Sequence, residues 1–348
     1  MCEKITNIAL RNILITIHKL VELVHNKMKQ IIKVTIVIVV AIFHISCNRN
    51  KQIDQTAEKH TSIYHWKSTF ELDSAELAFL QTHNIDRIYV KMYDVATEQN
   101  FLSGEADIVP IATTKFVSAI PDNVEIIPVI YITIDALYAL GRWDRTEEFG
   151  KLIIERTLAM CRYNKCGKIR ELQLDCDWTS TTKDVYEKLC GIIRKSLREK
   201  DIDLSITVRL HQLRESAPPA DRGVLMLYNT GALKDIKTKN SILDMADAKP
   251  YLKSTRYPIP LDYAYPAFGW GVKFENDKFV AIVTDEETKA AANEYIRYER
   301  ATATDILKVK SLVEDKLGKP TSGNILYHLD EVQLENYTDD EIAQILAY

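Results

Sequence analysis

Eight times along this chain a short strand-like run is followed by a helix-like or loop segment, and that order restricts the fold more than any single residue does. The runs are SIYHWKST, DRIYVKMYDV, VEIIPVIYIT, ELQLDCDW, DLSITVRL, GVLMLYNT, IPLDYAYPAFGW and NILYHLDEV. Helical patterns lie between them: DSAELAFLQTHN with Asp73 as cap, Thr146 through Met160, DVYEKLCGIIRKSLREK, SILDMADAKPYL, Ala301 to Leu317 and the closing DDEIAQILAY. About eight strands alternating with helices is the order of a closed parallel barrel, so the expected class is α/β, a single (β/α)8 TIM-like barrel over residues 61–348. A doubly wound open sheet is the alternative. It is disfavoured because no glycine-rich phosphate loop follows an early strand and the chain has only 11 glycines. KFENDKFVAIVTD reads as a hairpin turning at Asn276 and Asp277.

Upstream of the barrel the sequence speaks of export. MKQIIKVTIVIVVAIFHISC, Met28 to Cys47, carries Lys29 and Lys33, an apolar run from Val34 to Phe43, and Ser46 before a cysteine. That is the pattern of a bacterial lipoprotein signal, with lipidation expected at Cys47. The apolar run is about half the ~20 residues a bilayer-spanning helix needs. Residues 28–46 are therefore read as a signal peptide, 47–60 as a polar lipid-anchored tether, and 1–27 as a non-native leader or an extended n-region. Asn48 favours the outer membrane of a Gram-negative envelope. A formal charge of -4 with both signs interspersed leaves no basic face, so nucleic acid is not an expected partner. Cys161 and Cys166 either pair in an oxidising compartment or remain thiols; four cysteines beyond Cys47 do not make a disulfide scaffold or zinc ribbon.

Strand parity indicates which side chains face the barrel axis, because alternate residues point in and out. On ELQLDCDW the apolar set Leu172, Leu174 and Cys176 should face the helices, which turns Gln173, Asp175 and Asp177 inward. On DLSITVRLHQ the same logic places Ser205, Thr207, Arg209 and His211 inside. On DRIYVKMYD it places Tyr89, Lys91 and Tyr93 inside, and on NILYHLDEV it places His328 and Asp330 there with Tyr327 outside. His65 and Trp66 follow the first strand as rim residues. Charge accumulates toward the C-terminal strand ends, where barrels carry their sites. Buried charges demand partners or a function. An internal network of Lys91, Asp175, Arg209 and Asp330 is one reading and a ligand site at the barrel mouth is the other.

The segment LQLDCDW, followed by a helix and then DLSITVRL, resembles a family of uncharacterised bacterial (β/α) barrel lipoproteins with a strand ending in Asp-x-Asp. More distantly it is similar to chitinase-type glycoside hydrolases, whose aspartate-bearing strand ends in a catalytic glutamate. Asp175 and Asp177 match that spacing, while Thr179 occupies the glutamate position and cannot protonate a leaving oxygen. The resemblance implies a barrel acting on carbohydrate, with a non-catalytic binding or scaffold protein as the alternative. A glycosidase needs two carboxyl groups roughly 5 to 5.5 Å apart for retention or 6.5 to 9.5 Å for inversion. Asp177 with Asp330 or Glu331 is the candidate pair, tuned by Asp175. Trp66, Tyr131, Tyr228, Tyr263, Tyr265 and Trp270 are candidates for stacking on sugar rings. His65, Asp175, Asp177, His211, His328 and Asp330 are also ligand types of a hydrolytic metal centre, but no compact metal-binding spacing occurs. No cofactor is expected, and no Gly-x-Ser-x-Gly elbow is present.

Overall fold

The computed structural model describes residues 58–99, 104, 106–253, 256–283 and 293–348. The chain divides between Thr56 and Ala57, and the described residues belong to the second unit. The signal segment, Cys47 and most of the tether lie outside them. Lys59 and His60 already dock on the barrel: Lys59 Nζ donates to the carbonyl of Thr321 at 2.8 Å, and His60 meets Asp86 at 3.1 Å.

The strands are β1 (Ser62–His65), β2 (Thr69–Phe70), β3 (Arg87–Gln99), β4 (Ala106–Ile111), β5 (Lys115–Phe116), β6 (Glu125–Ile132), β7 (Glu171–Asp175), β8 (Asp203–Arg209), β9 (Arg222–Met226), β10 (Leu261–Pro266), β11 (Gly269–Glu275), β12 (Lys278–Val283), β13 (Glu294–Arg300) and β14 (Asn324–Tyr327). Eight of them, ordered β1-β14-β10-β9-β8-β7-β6-β3, pair in parallel, and β1 pairs with β3 to close the ring. This is the expected (β/α)8 barrel, and its eight strands coincide with the eight strand-like runs. Two features extend it. Strand β4 pairs antiparallel with the far end of β3 to form an arm, and β11, β12 and β13 form a separate sheet inserted between β10 and helix Ala303–Leu317. The β11–β12 turn falls on Asn276 and Asp277, both in the left-handed region that a tight hairpin requires.

The helices form where capping and amphipathic patterning agree. Asp73 caps helix Ser74–Thr82 with a reciprocal box to Glu76. Helix Lys183–Arg198 buries Tyr186, Leu189, Cys190, Ile193 and Leu197 on one face. Helix Ile134–Arg142, capped by Thr133, was not marked by the sequence reading. SILDMADAKPYL contains only one helical turn, Met245–Ala248. Cys161 and Cys166 are buried thiols without a bridge.

Inside the barrel the N-terminal end is closed by buried ions. Arg87 pairs with Glu125 at 2.8 Å and lies 3.9 Å from Glu171; Arg222 lies 3.6 Å from Glu171. Asp262 accepts the Gly323 N–H at 3.0 Å. Above them sits a polar-aromatic layer in which the Tyr64 hydroxyl donates to Gln173 at 2.6 Å and Gln173 donates to Ser205 at 3.3 Å. Plugged in this way at its N-terminal end, the barrel interior opens toward its C-terminal mouth among the described residues.

Candidate functional site

Strands β7 and β8 deliver the centre of the mouth, and their side chains point as parity requires. The Asp175 carboxylate accepts from the Thr207 hydroxyl at 2.6 Å and from Arg209 Nη2 at 3.1 Å. Arg209 Nε donates to Asp177 Oδ1, so one guanidinium joins both aspartates. Burial raises the Asp175 carboxyl above the ordinary range, against the pull of Arg209 and Thr207. Burial acts on Arg209 in the opposite sense, and Asp175, Tyr228 and Asp177 overcome it and hold the guanidinium protonated. The Asp177 side chain is 43% exposed, which makes it the accessible carboxylate of the pair.

A cavity of about 240 Å³ opens beside this pair, lined by Asp177, Arg209, Leu210, His211, Tyr228, Asn229, Thr230 and Tyr251. From Tyr228 an arc of rings runs around the mouth. Tyr228 stacks on Tyr327 at 4.7 Å and meets Phe268 edge-on at 5.9 Å; Phe268 packs on Trp270 at 5.1 Å, and Tyr327 on Trp66 at 5.7 Å. Trp66, Trp270 and Tyr327 are only half-buried, so the arc presents ring surface to solvent. Tyr131, level with Asp175 across β6–β7, is pushed up to about 12 by burial and by Asp177 and Asp175 and stays a phenol.

Several expected residues lie elsewhere. A bulge moves the β3–β6 register from Lys91↔Val129 to Tyr93↔Ile130 and leaves Met92 as the extra residue. Parity flips there. Tyr93 therefore faces the helix Thr146–Tyr163, with its hydroxyl 2.9 Å from that of Thr157, and not the axis. Asp94, not among the residues expected there, enters the mouth in place of Tyr93, level with Tyr131, and pairs with Lys91 at 3.1 Å. On β14 the expected orientation is reversed: Tyr327 packs on Tyr64 at 5.5 Å within the barrel, and His328 turns away. The axis is filled by rings, so an apolar residue there does not signal the outer face. His65 is fully buried against Phe70 at 4.9 Å on the outer side of β1, in register with Val90. Tyr263 and Tyr265 also face outward; Tyr263 donates to the carbonyl of Gly318 at 2.8 Å. Trp270 is at the rim, its Nε1 held by Glu299 at 3.0 Å.

Asp330 is the N-cap of helix Glu331–Leu334 and lies 3.5 Å from Lys67, which pairs with Glu76 at 2.7 Å. Glu331 is exposed beside Asp73, whose charge raises it. Asp330 and Glu331 thus belong to a rim cluster with Lys67, Glu76 and Asp73, and Asp177 to the Arg209 cluster. Lys91, Asp175, Arg209 and Asp330 do not form one network; they sort into three pairings. The Thr179 hydroxyl bonds the Thr181 hydroxyl at 2.8 Å, and Thr181 bonds the Tyr138 hydroxyl at 2.6 Å. Among the described residues no three of His, Cys, Asp and Glu are placed to hold a metal ion.

No protein-family profile matches the sequence, and no curated protein matches it. Solved structures do match the fold. A chitinase from Chromobacterium violaceum, 13% identical, superposes with a TM-score of 0.50 over 83% of this chain and 99% of that one. The spore cortex-lytic enzyme SleL of Bacillus megaterium, 11% identical, superposes with a TM-score of 0.51 over 84% of this chain and 75% of that one. The fold is that of a chitinase-type barrel. At such identities the likeness concerns architecture alone.

Proposed function

We propose that this protein is a lipid-anchored carbohydrate-binding barrel that holds its ligand at the C-terminal mouth without cleaving it. The observation that carries the reading is the aromatic arc from Trp270 to Trp66 beside a cavity with one accessible carboxylate. Flat apolar rings with a few fixed polar groups are what a sugar's two kinds of surface require. Hydrolysis is disfavoured by the same geometry. A glycosidase needs a proton donor and a second carboxyl group flanking the bond, but Asp177 and Asp175 are both tied to one guanidinium, Arg209, Asp330 and Glu331 stand in a separate cluster, and Thr179 has no acidic proton to give. The anchor at Cys47 and an outer-membrane address belong to the same proposal; they are supported by the sequence from Met28 to Cys47.

The test is titration calorimetry against a glycan panel, paired with an assay for released reducing ends. Saturable binding without turnover is expected. Trp66→Ala, which removes a rim ring, should weaken binding by about 1 to 2 kcal/mol while the thermal melt stays close to wild type. Turnover that Asp177→Asn abolishes would replace the binding role with a hydrolase, and no binding to any glycan would reject a carbohydrate ligand.

A further inference from the structure

The charges at the mouth do not cancel, and the remainder is accessible. Three carboxylates, Asp94, Asp175 and Asp177, face two cations, Lys91 and Arg209. Lys91 is committed to Asp94 at 3.1 Å and lies over the Trp66 ring at 5.9 Å. Arg209 is committed two ways, Nη2 to Asp175 at 3.1 Å and Nε to Asp177 Oδ1. The Asp175 oxygen that receives Arg209 also receives the Thr207 hydroxyl, two donors on one oxygen, as a carboxylate accepts them. Asp177 Oδ2 has no partner among the described residues. Lys67, the next cation around the rim, is bound to Glu76 and Asp330.

We infer that the ligand is cationic, an oligosaccharide bearing free amino groups, with one ammonium placed on Asp177 Oδ2 beside Tyr228. This rests on the carbohydrate reading above and narrows it. An anionic sugar would meet cations that are each already paired with carboxylates, Lys91 with Asp94 and Arg209 with Asp175 and Asp177, and would add to the surplus negative charge. A neutral sugar can give Oδ2 a hydroxyl but leaves the extra negative charge in place. An ammonium does both, and the adjoining rings favour a cation further. An acetyl group on the nitrogen would remove the charge and all but one of the donors.

The experiment is calorimetry on the full chain in detergent at mildly acidic pH, where a sugar amine is protonated. The ligands are a β-1,4-linked glucosamine tetramer, its fully N-acetylated counterpart and the corresponding glucose tetramer. The amine should bind about fivefold more tightly than either neutral sugar, with the preference falling in about 0.5 M salt. Asp177→Asn should bring the three ligands to similar affinity, and Asp177→Glu, which keeps the charge, should retain the preference. Equal or tighter binding of the neutral sugars would overturn the inference and leave the carbohydrate reading standing. An amine preference that survives in Asp177→Asn would also overturn it, since the cation would then be held elsewhere. If none of the three binds while other glycans do, the amino-sugar class is excluded; if no glycan binds at all, both readings fall.

Discussion

Buried ionisable side chains govern how this protein responds to its surroundings, and His65 is the sharpest case. It is fully buried with neither ring nitrogen partnered, and burial, Lys67 and His328 together lower it from 6.5 to about 4. His328 is lowered for the same first reason. A histidine that resists protonation only when folded gives stability that is complete above pH 6.5 and is lost as pH falls toward 4, because the unfolded chain binds the proton first. The loss expected from His65 is about 3 kcal/mol. Urea unfolding from pH 7 to 4 should show it, and His65→Leu should flatten the slope; an unchanged slope would place the acid sensitivity elsewhere. The same residue shows what sequence could not supply. Parity was clear on β7 and β8, where polar and apolar residues alternate strictly, and it oriented Asp175, Asp177, Thr207 and Arg209 toward the axis as observed. It misplaced Tyr93 and Tyr327, because a single bulged residue inverts every side chain after it and because rings fill the axis as readily as the outer layer.

Among the elements, the C-terminal helix Asp339–Leu346 is held by a device that pattern alone does not reveal. Lys310, on helix Ala303–Leu317, donates to the carbonyls of Gln344 and Ile345, each at 2.9 Å, and to that of Ala347. These are carbonyls that a helix end leaves without partners. Burial lowers Lys310 from 10.5 to about 8, yet removing the amine strands the carbonyls of Gln344 and Ile345, while that of Ala347 keeps the Asn324 amide. Lys310→Met should therefore destabilise the docked helix by about 1 to 3 kcal/mol. Hydrogen exchange should locate the effect in the amides of residues 339–346, with those of β7 and β8 unaffected; uniform acceleration would mean that the helix is not a separate opening unit. The inserted sheet is tied down similarly. Glu299 accepts from Trp270 Nε1 at 3.0 Å and from the Ser241 N–H at 2.9 Å, so a buried carboxylate fixes a rim ring. Sequence marked the β11–β12 hairpin but not its pairing with β13, since Lys273↔Ile296 and its neighbours meet only once the loop has closed.

For the molecule as a whole, the closed barrel and the proposed anchor assign separate tasks to the two ends of the chain. If Cys47 carries lipid, Cys47→Ser should move the protein from the membrane to the soluble fraction while its thermal melt and glycan binding remain those of wild type; retention in the membrane would refute the anchor. Sequence by itself determined the barrel. Strand identity and order follow from local apolar runs and caps, and eight parallel strands with intervening helices have few ways to bury both faces of the sheet. It also determined the chemistry offered at the mouth, because Asp175, Asp177 and Arg209 sit at the ends of cleanly alternating strands. Only the tertiary structure decided how that chemistry is partnered: that Arg209 joins the two aspartates, that Asp94 replaces Tyr93 beside them, and that Asp330 and Glu331 stand in a different cluster. Partnership depends on register and closure between segments far apart in the chain, and no local spacing encodes a distance across the barrel.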